Sequence, residues 1–130
     1  MTTVLVIDDE TINAEALAYL LAGEGMNVLT ATDGKAGLRL IAQCRPDVIV
    51  TDFMMPIMTG LELAQTLRSD PDTDDAAIPL LLLTAAQADI GRRYPDMFDV
   101  VLEKPCQPKD FVAAAQRLVQ GRGRAAADGS

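Results

Sequence analysis

Short apolar runs alternate along this chain with longer segments of helical spacing. Val4–Ile7, Val28–Thr32, Val48–Thr51, Leu80–Thr84 and Val100–Leu102 are brief and almost continuously apolar. Strands buried on both faces have that pattern. Between them, Ile12, Ala16 and Leu20 with Leu17 and Leu21 share one helical face. Leu38, Ile41 and Ala42 make a second, Leu61, Ala64 and Leu67 a third, and Phe111, Ala115 and Leu118 a last. Five strands alternating with helices predict an α/β fold, a parallel sheet covered on both sides.

Punctuation supports the same division. Asp33-Gly34 marks a turn after the second strand, and Arg45-Pro46-Asp47 separates a helix from the third strand. Thr59-Gly60-Leu61-Glu62 has capping-box spacing. Ser69–Pro79 is acidic and proline-bearing and reads as a surface loop. Pro108 suits the first turn of the last helix. The stretch between Thr84 and Lys104 holds Gly91 and Pro95, so a short or distorted fourth helix is expected there. One domain over residues 1–120 is expected, with residues 121–130 as a flexible C-terminal tail.

Composition narrows the function. The chain has 130 residues, 49% of them hydrophobic, and a formal net charge of −8. No basic surplus exists to neutralise phosphates, so direct nucleic-acid binding is not expected. The absence of His excludes histidine triads and histidine-ligated zinc. Cys44 and Cys106 are too few for a disulfide framework and read as free thiols. The N-terminus lacks a signal-peptide pattern, and no apolar run reaches the length of a membrane span. A soluble, cytoplasmic protein without membrane insertion is the expectation.

In doubly wound α/β folds, ligands bind beyond the carboxyl ends of the strands. Here those ends carry Asp8-Asp9-Glu10, Thr51-Asp52, Thr84 and Glu103-Lys104-Pro105. Singly, each has a plain explanation: a strand-end Asp or Thr is ordinarily a cap, and a Lys a solvated charge. Together they converge on one edge. Clustered carboxylates are tolerated where a cation or a proton relieves their repulsion. An oxygen-only set suits Mg²⁺. A metal, a lysine and a hydroxyl around a carboxylate suit phosphoryl transfer to that carboxylate.

The segments VLVIDDE, PDVIVTDFMMPIMTGLEL, LLLTAA and EKP closely resemble response-regulator receiver domains of two-component signalling, of the single-domain chemotaxis-regulator type. The resemblance spans about residues 3–120. It implies a flavodoxin-like (βα)5 sheet of order 2-1-3-4-5. It implies that Asp52 accepts phosphate from a histidine kinase or phosphotransfer protein and so switches binding to an output protein. Such a domain is no turnover enzyme; it catalyses only its own phosphorylation and dephosphorylation. Asp8, Asp9 and Asp52, with the backbone carbonyl of Met54, would hold Mg²⁺. Thr84 would bond the phosphoryl group and move on activation, Lys104 would pair with its oxygens, and Lys104-Pro105 would be cis.

Some positions depart from the pattern. Val101 stands where the family often has an aromatic, three residues before Lys104. The interval from Thr84 to Lys104 is also short. A phosphorylation-independent interaction module is the competing reading, disfavoured because all five polar positions are kept. An aspartate-based phosphatase would carry a second acid where Met54 stands. A DNA-binding regulator would require a longer chain, since no helix-turn-helix fits after Gly121.

Overall fold

The computed structural model describes residues 2–69 and 72–128. Strands β1 (Thr3–Ile7), β2 (Asn27–Ala31), β3 (Val48–Thr51), β4 (Leu80–Thr84) and β5 (Val100–Glu103) alternate with five α-helices. The helices are α1 (Thr11–Ala22), α2 (Gly34–Cys44), α3 (Gly60–Arg68), α4 (Ala88–Arg92) and α5 (Pro108–Asp128). The strands form one parallel sheet, ordered β2-β1-β3-β4-β5. This is the doubly wound, flavodoxin-like order that the resemblance implied.

Side chains alternate across each strand, and the core splits accordingly. Leu5, Ile7, Ile49 and Leu82 face α2 and α3, packing with Ile41, Leu63 and Leu67. Val4, Val6, Val50 and Leu81 face α1 and α5, packing with Ala14, Leu21 and Phe111. The expected α3 and α5 faces are the ones used. Pro108 opens α5, and Thr59 and Glu62 close a reciprocal capping box on α3. Asp33 caps α2 through the amide of Ala36 at 2.8 Å. Both cysteines are free. Within the acidic loop a 3-10 turn spans Asp74–Ala77; Asp70 and Pro71 lie outside the described residues.

Four expectations need correction. Ile12 is 81% exposed, and Ala16 is exposed too. Helix α1 is apolar almost all round, so spacing alone could not choose its face, and Ala14 and Leu21 are the residues buried. Ala42 of α2 is likewise exposed; Gly34, Gly37 and Ile41 face inward. Strand β2 runs Asn27–Ala31, and it and β5 are only partly buried, because they form the edges of the sheet. Finally, α5 continues past Gly121 to Asp128; the alanines at 125–127 favour helix enough to offset Gly121 and Gly123.

The fourth helix is short, as expected, at five residues. Gly91 has a packing reason: a Cβ there would lie 2.4 Å from Leu82 Cδ2. The glycine lets α4 lie close on the sheet.

Candidate functional site

The sheet order reverses between β1 and its neighbours β2 and β3, so their carboxyl ends open a cleft. Asp8 follows β1 and is 2% exposed. Its Oδ1 accepts from the amide of Glu10 at 2.9 Å. Asp52 follows β3; its own amide donates to Ile7 O at 3.1 Å, stitching it to β1. Its Oδ1 accepts from the amide of Phe53 at 2.7 Å. The first residue of α3 packs against this point, with Gly60 N–H donating to Phe53 O at 2.8 Å.

Lys104 reaches the cleft from the end of β5. Its amide donates to Thr84 O at 3.0 Å, and the following Lys104-Pro105 bond is cis, as expected. Its Nζ lies 3.5 Å from both Asp8 Oδ2 and Asp52 Oδ2. Carboxylate oxygens of Asp8, Asp9 and Asp52 lie within 4.8 Å of one another. The ordering of burial matters: Asp8 is buried, Asp52 half-buried and Asp9 exposed.

Burial pushes the Asp8 carboxyl above its ordinary value, and the nearby Asp52 charge adds to that rise. The Glu10 amide and Lys104 pull it back only in part. The cleft thus gathers three carboxylates, the Asp8 one poorly solvated, with the Lys104 ammonium to offset them. A donor set made wholly of carboxylate oxygens fits a hard divalent cation such as Mg²⁺.

Asp8, Asp9, Asp52 and Lys104 are therefore brought together. Thr84 lies at the same sheet edge, buried, but its hydroxyl donates to Gln87 Oε1 at 3.4 Å. Met54 follows Asp52 in the β3–α3 loop with its side chain exposed. Two features escaped the sequence. Gln87 carries no local pattern that would flag it. Arg68 reads as an ordinary last-turn charge of α3, yet it donates to Ala76 O, Ile78 O and Met97 O and pairs with Asp99. The sign that Gly60 would approach Asp52 closely was its place at the start of a capped helix.

The family model for the response regulator receiver domain matches residues 4–116. The chain belongs to the response-regulator receiver domains. Among curated relatives, this receiver domain is 44% identical over 86 residues to the probable transcriptional regulatory protein TcrX of Mycobacterium tuberculosis, covering 66% of this chain and 35% of that protein. It is 33% identical over 112 residues to the DNA-binding response regulator MtrA of the same organism, covering 85% of this chain and 47% of MtrA. The chain thus spans less than half the length of these two relatives. A receiver domain from Clostridium thermocellum superposes with a TM-score of 0.84 at 25% identity, covering 95% of this chain and 98% of that one. Receiver domains of this family bind Mg²⁺ at an acidic pocket and interact with histidine kinases or phosphotransfer proteins; this chain brings Asp8, Asp9 and Asp52 together in an acidic group. Among the described residues, no helix is long and apolar enough to cross a membrane.

Proposed function

We propose that this receiver domain is a phosphoacceptor whose Asp52 takes a phosphoryl group from a histidine kinase or phosphotransfer protein. The observation that carries this reading is Lys104 Nζ at 3.5 Å from both Asp8 and Asp52, in a cluster of three carboxylates. An Asp52 carboxylate oxygen attacks phosphorus to form the new oxygen–phosphorus bond, the phosphorus–nitrogen bond of the donor histidine breaks, and the imidazole nitrogen leaves with the electron pair. The Phe53 amide holds Asp52 Oδ1, which leaves Oδ2 as the attacking oxygen, on the side of Lys104.

Mg²⁺, held by Asp8, Asp9, Asp52 and the carbonyl of Met54, would neutralise the charge gathering on the phosphoryl oxygens. Lys104 offers those oxygens a fixed ammonium. Thr84 offers a hydroxyl once it leaves Gln87. The domain is its own substrate, catalysing only its phosphorylation and dephosphorylation. Apolar Ile12, Met54 and Ile57 are exposed on the segments that rim the cleft, a surface suited to a docking donor protein. Residues 1–120 are assigned to the receiver, with α5 running on to Asp128. The acidic receiver itself, cytoplasmic in this reading, is not the element that would touch DNA. Were the chain joined to a DNA-binding module, as in MtrA, that module would carry the contact.

Incubation with acetyl phosphate and Mg²⁺, followed by intact mass, tests the reading. Wild type should gain one phosphoryl group, and neither EDTA-treated protein nor Asp52→Asn should. An unlabelled wild type would leave only a phosphorylation-independent binding module.

A further inference from the structure

Thr84 is 1% exposed, and its hydroxyl donates to Gln87 Oε1 at 3.4 Å. A hydroxyl has one proton and can donate one hydrogen bond at a time. We propose that Gln87 is a positioning residue that competes with the phosphoryl group for the Thr84 proton, and that its release on phosphorylation is what α4 senses. This rests on the phosphoacceptor reading of Asp52.

The placement of Gln87 makes it a suitable relay. It is the N-cap residue of α4, and its carbonyl accepts from Gly91 N–H at 3.0 Å. Its side chain makes no cap bond to the helix, so its amide oxygen is committed to Thr84 instead. The far end of α4 is tied to the same place on the sheet. Arg92 pairs with Glu103 at 2.9 Å, and Glu103 is the register partner of Thr84 on β5 and precedes Lys104. A five-residue helix has little internal cooperativity, so its position depends on such ties.

The apolar side of the helix offers no comparable switch. Val101 lies 3.4 Å from where a Gly91 Cβ would stand. It is short and β-branched, with few rotamers to exchange. The polar bond from Thr84 to Gln87 is therefore the link that must break when the hydroxyl turns to a phosphoryl oxygen. Removing the Gln87 oxygen should free that proton in advance.

The test is calorimetric titration of the full chain with beryllium fluoride, a phosphoryl mimic, in saturating Mg²⁺. Gln87→Leu and Gln87→Ala should each bind roughly two- to tenfold tighter than wild type, the span expected when one neutral hydrogen bond ceases to compete. Thr84→Val should bind more weakly, and adding Gln87→Leu to it should change nothing, because the contested proton is gone. Amides of 88–92 should exchange faster in unliganded Gln87→Leu, as in beryllium-fluoride-bound wild type. Equal affinity of wild type and both Gln87 variants would overturn the relay alone. So would a gain that persists with Thr84→Val. No binding by wild type would remove the Asp52 reading, and the relay with it.

Discussion

Gly60→Ala should damage both the fold and the cleft, because α3 starts against the backbone of Asp52. A Cβ at Gly60 would stand 2.4 Å from Asp52 O and 3.1 Å from Phe53 Cα. Carbon–oxygen contacts begin at about 3.3 Å, so roughly 0.9 Å must be found. The neighbouring atoms are backbone, held by Asp52 N–H to Ile7 O and Gly60 N–H to Phe53 O, and cannot rotate away. Overpacking of this kind costs about 1–3 kcal/mol, and a rigid neighbour places it at the upper end. A helix gain of up to about 1 kcal/mol for Gly→Ala offsets part, leaving a net loss of about 2 kcal/mol. For a domain of this size that is a Tm lower by about 8 °C. Urea unfolding should show a lower midpoint with unchanged slope, and Mg²⁺ affinity should fall because Asp52 is displaced. Gly121→Ala is the control: among the described residues nothing lies within 4 Å of that Cβ, so it should be neutral or stabilising. A Gly60→Ala protein as stable as wild type, with unchanged Mg²⁺ affinity, would refute the close approach of α3 to Asp52.

Three further outcomes are expected. Because burial raises the Asp8 carboxyl above its ordinary 3.8, the folded state binds more protons than the unfolded chain between that value and the raised one. Metal-free stability should fall as pH rises through this window, and Asp8→Asn should flatten the fall and melt higher than wild type in EDTA while losing its response to Mg²⁺. Arg68→Ala strands the carbonyls of Ala76, Ile78 and Met97 and should cost about 2–4 kcal/mol in urea unfolding, without preventing phosphorylation. Ile57 holds φ at 75° in a γ-turn closed by Met58 N–H to Pro56 O at 2.7 Å, a conformation strained for a β-branched residue; Ile57→Gly should raise the melting temperature by relieving about 1 kcal/mol or more.

The sequence made the strands, the α3 cap and the converging acids legible for a physical reason. Buried parallel strands must be apolar on both faces, and a metal-ready cleft needs carboxylates at strand ends. Where several arrangements satisfied the pattern equally, the sequence was silent. Helix α1 has enough apolar residues to bury either face, and contact with the sheet chose Ala14 and Leu21 over Ile12 and Ala16. Gly91 read as a weak point in a helix, whereas its missing Cβ is what lets α4 meet Leu82. The convergence of the three acids was legible, but not their unequal exposure. Asp8 is buried and Asp9 exposed, a difference set by how the chain folds over the end of β1. Gln87 and Arg68 gain their roles from partners distant in the chain or across a turn, with no periodicity to announce them.

The central claim is that Asp52 is the residue that becomes phosphorylated. After treatment with acetyl phosphate and Mg²⁺, borohydride reduction converts an aspartyl phosphate to homoserine, and peptide mass mapping locates it. Homoserine at position 52, abolished by EDTA and by Lys104→Ala weakened, is the predicted result. Homoserine at Asp8, Asp9 or any other acid, or none in a protein that binds Mg²⁺, would contradict it.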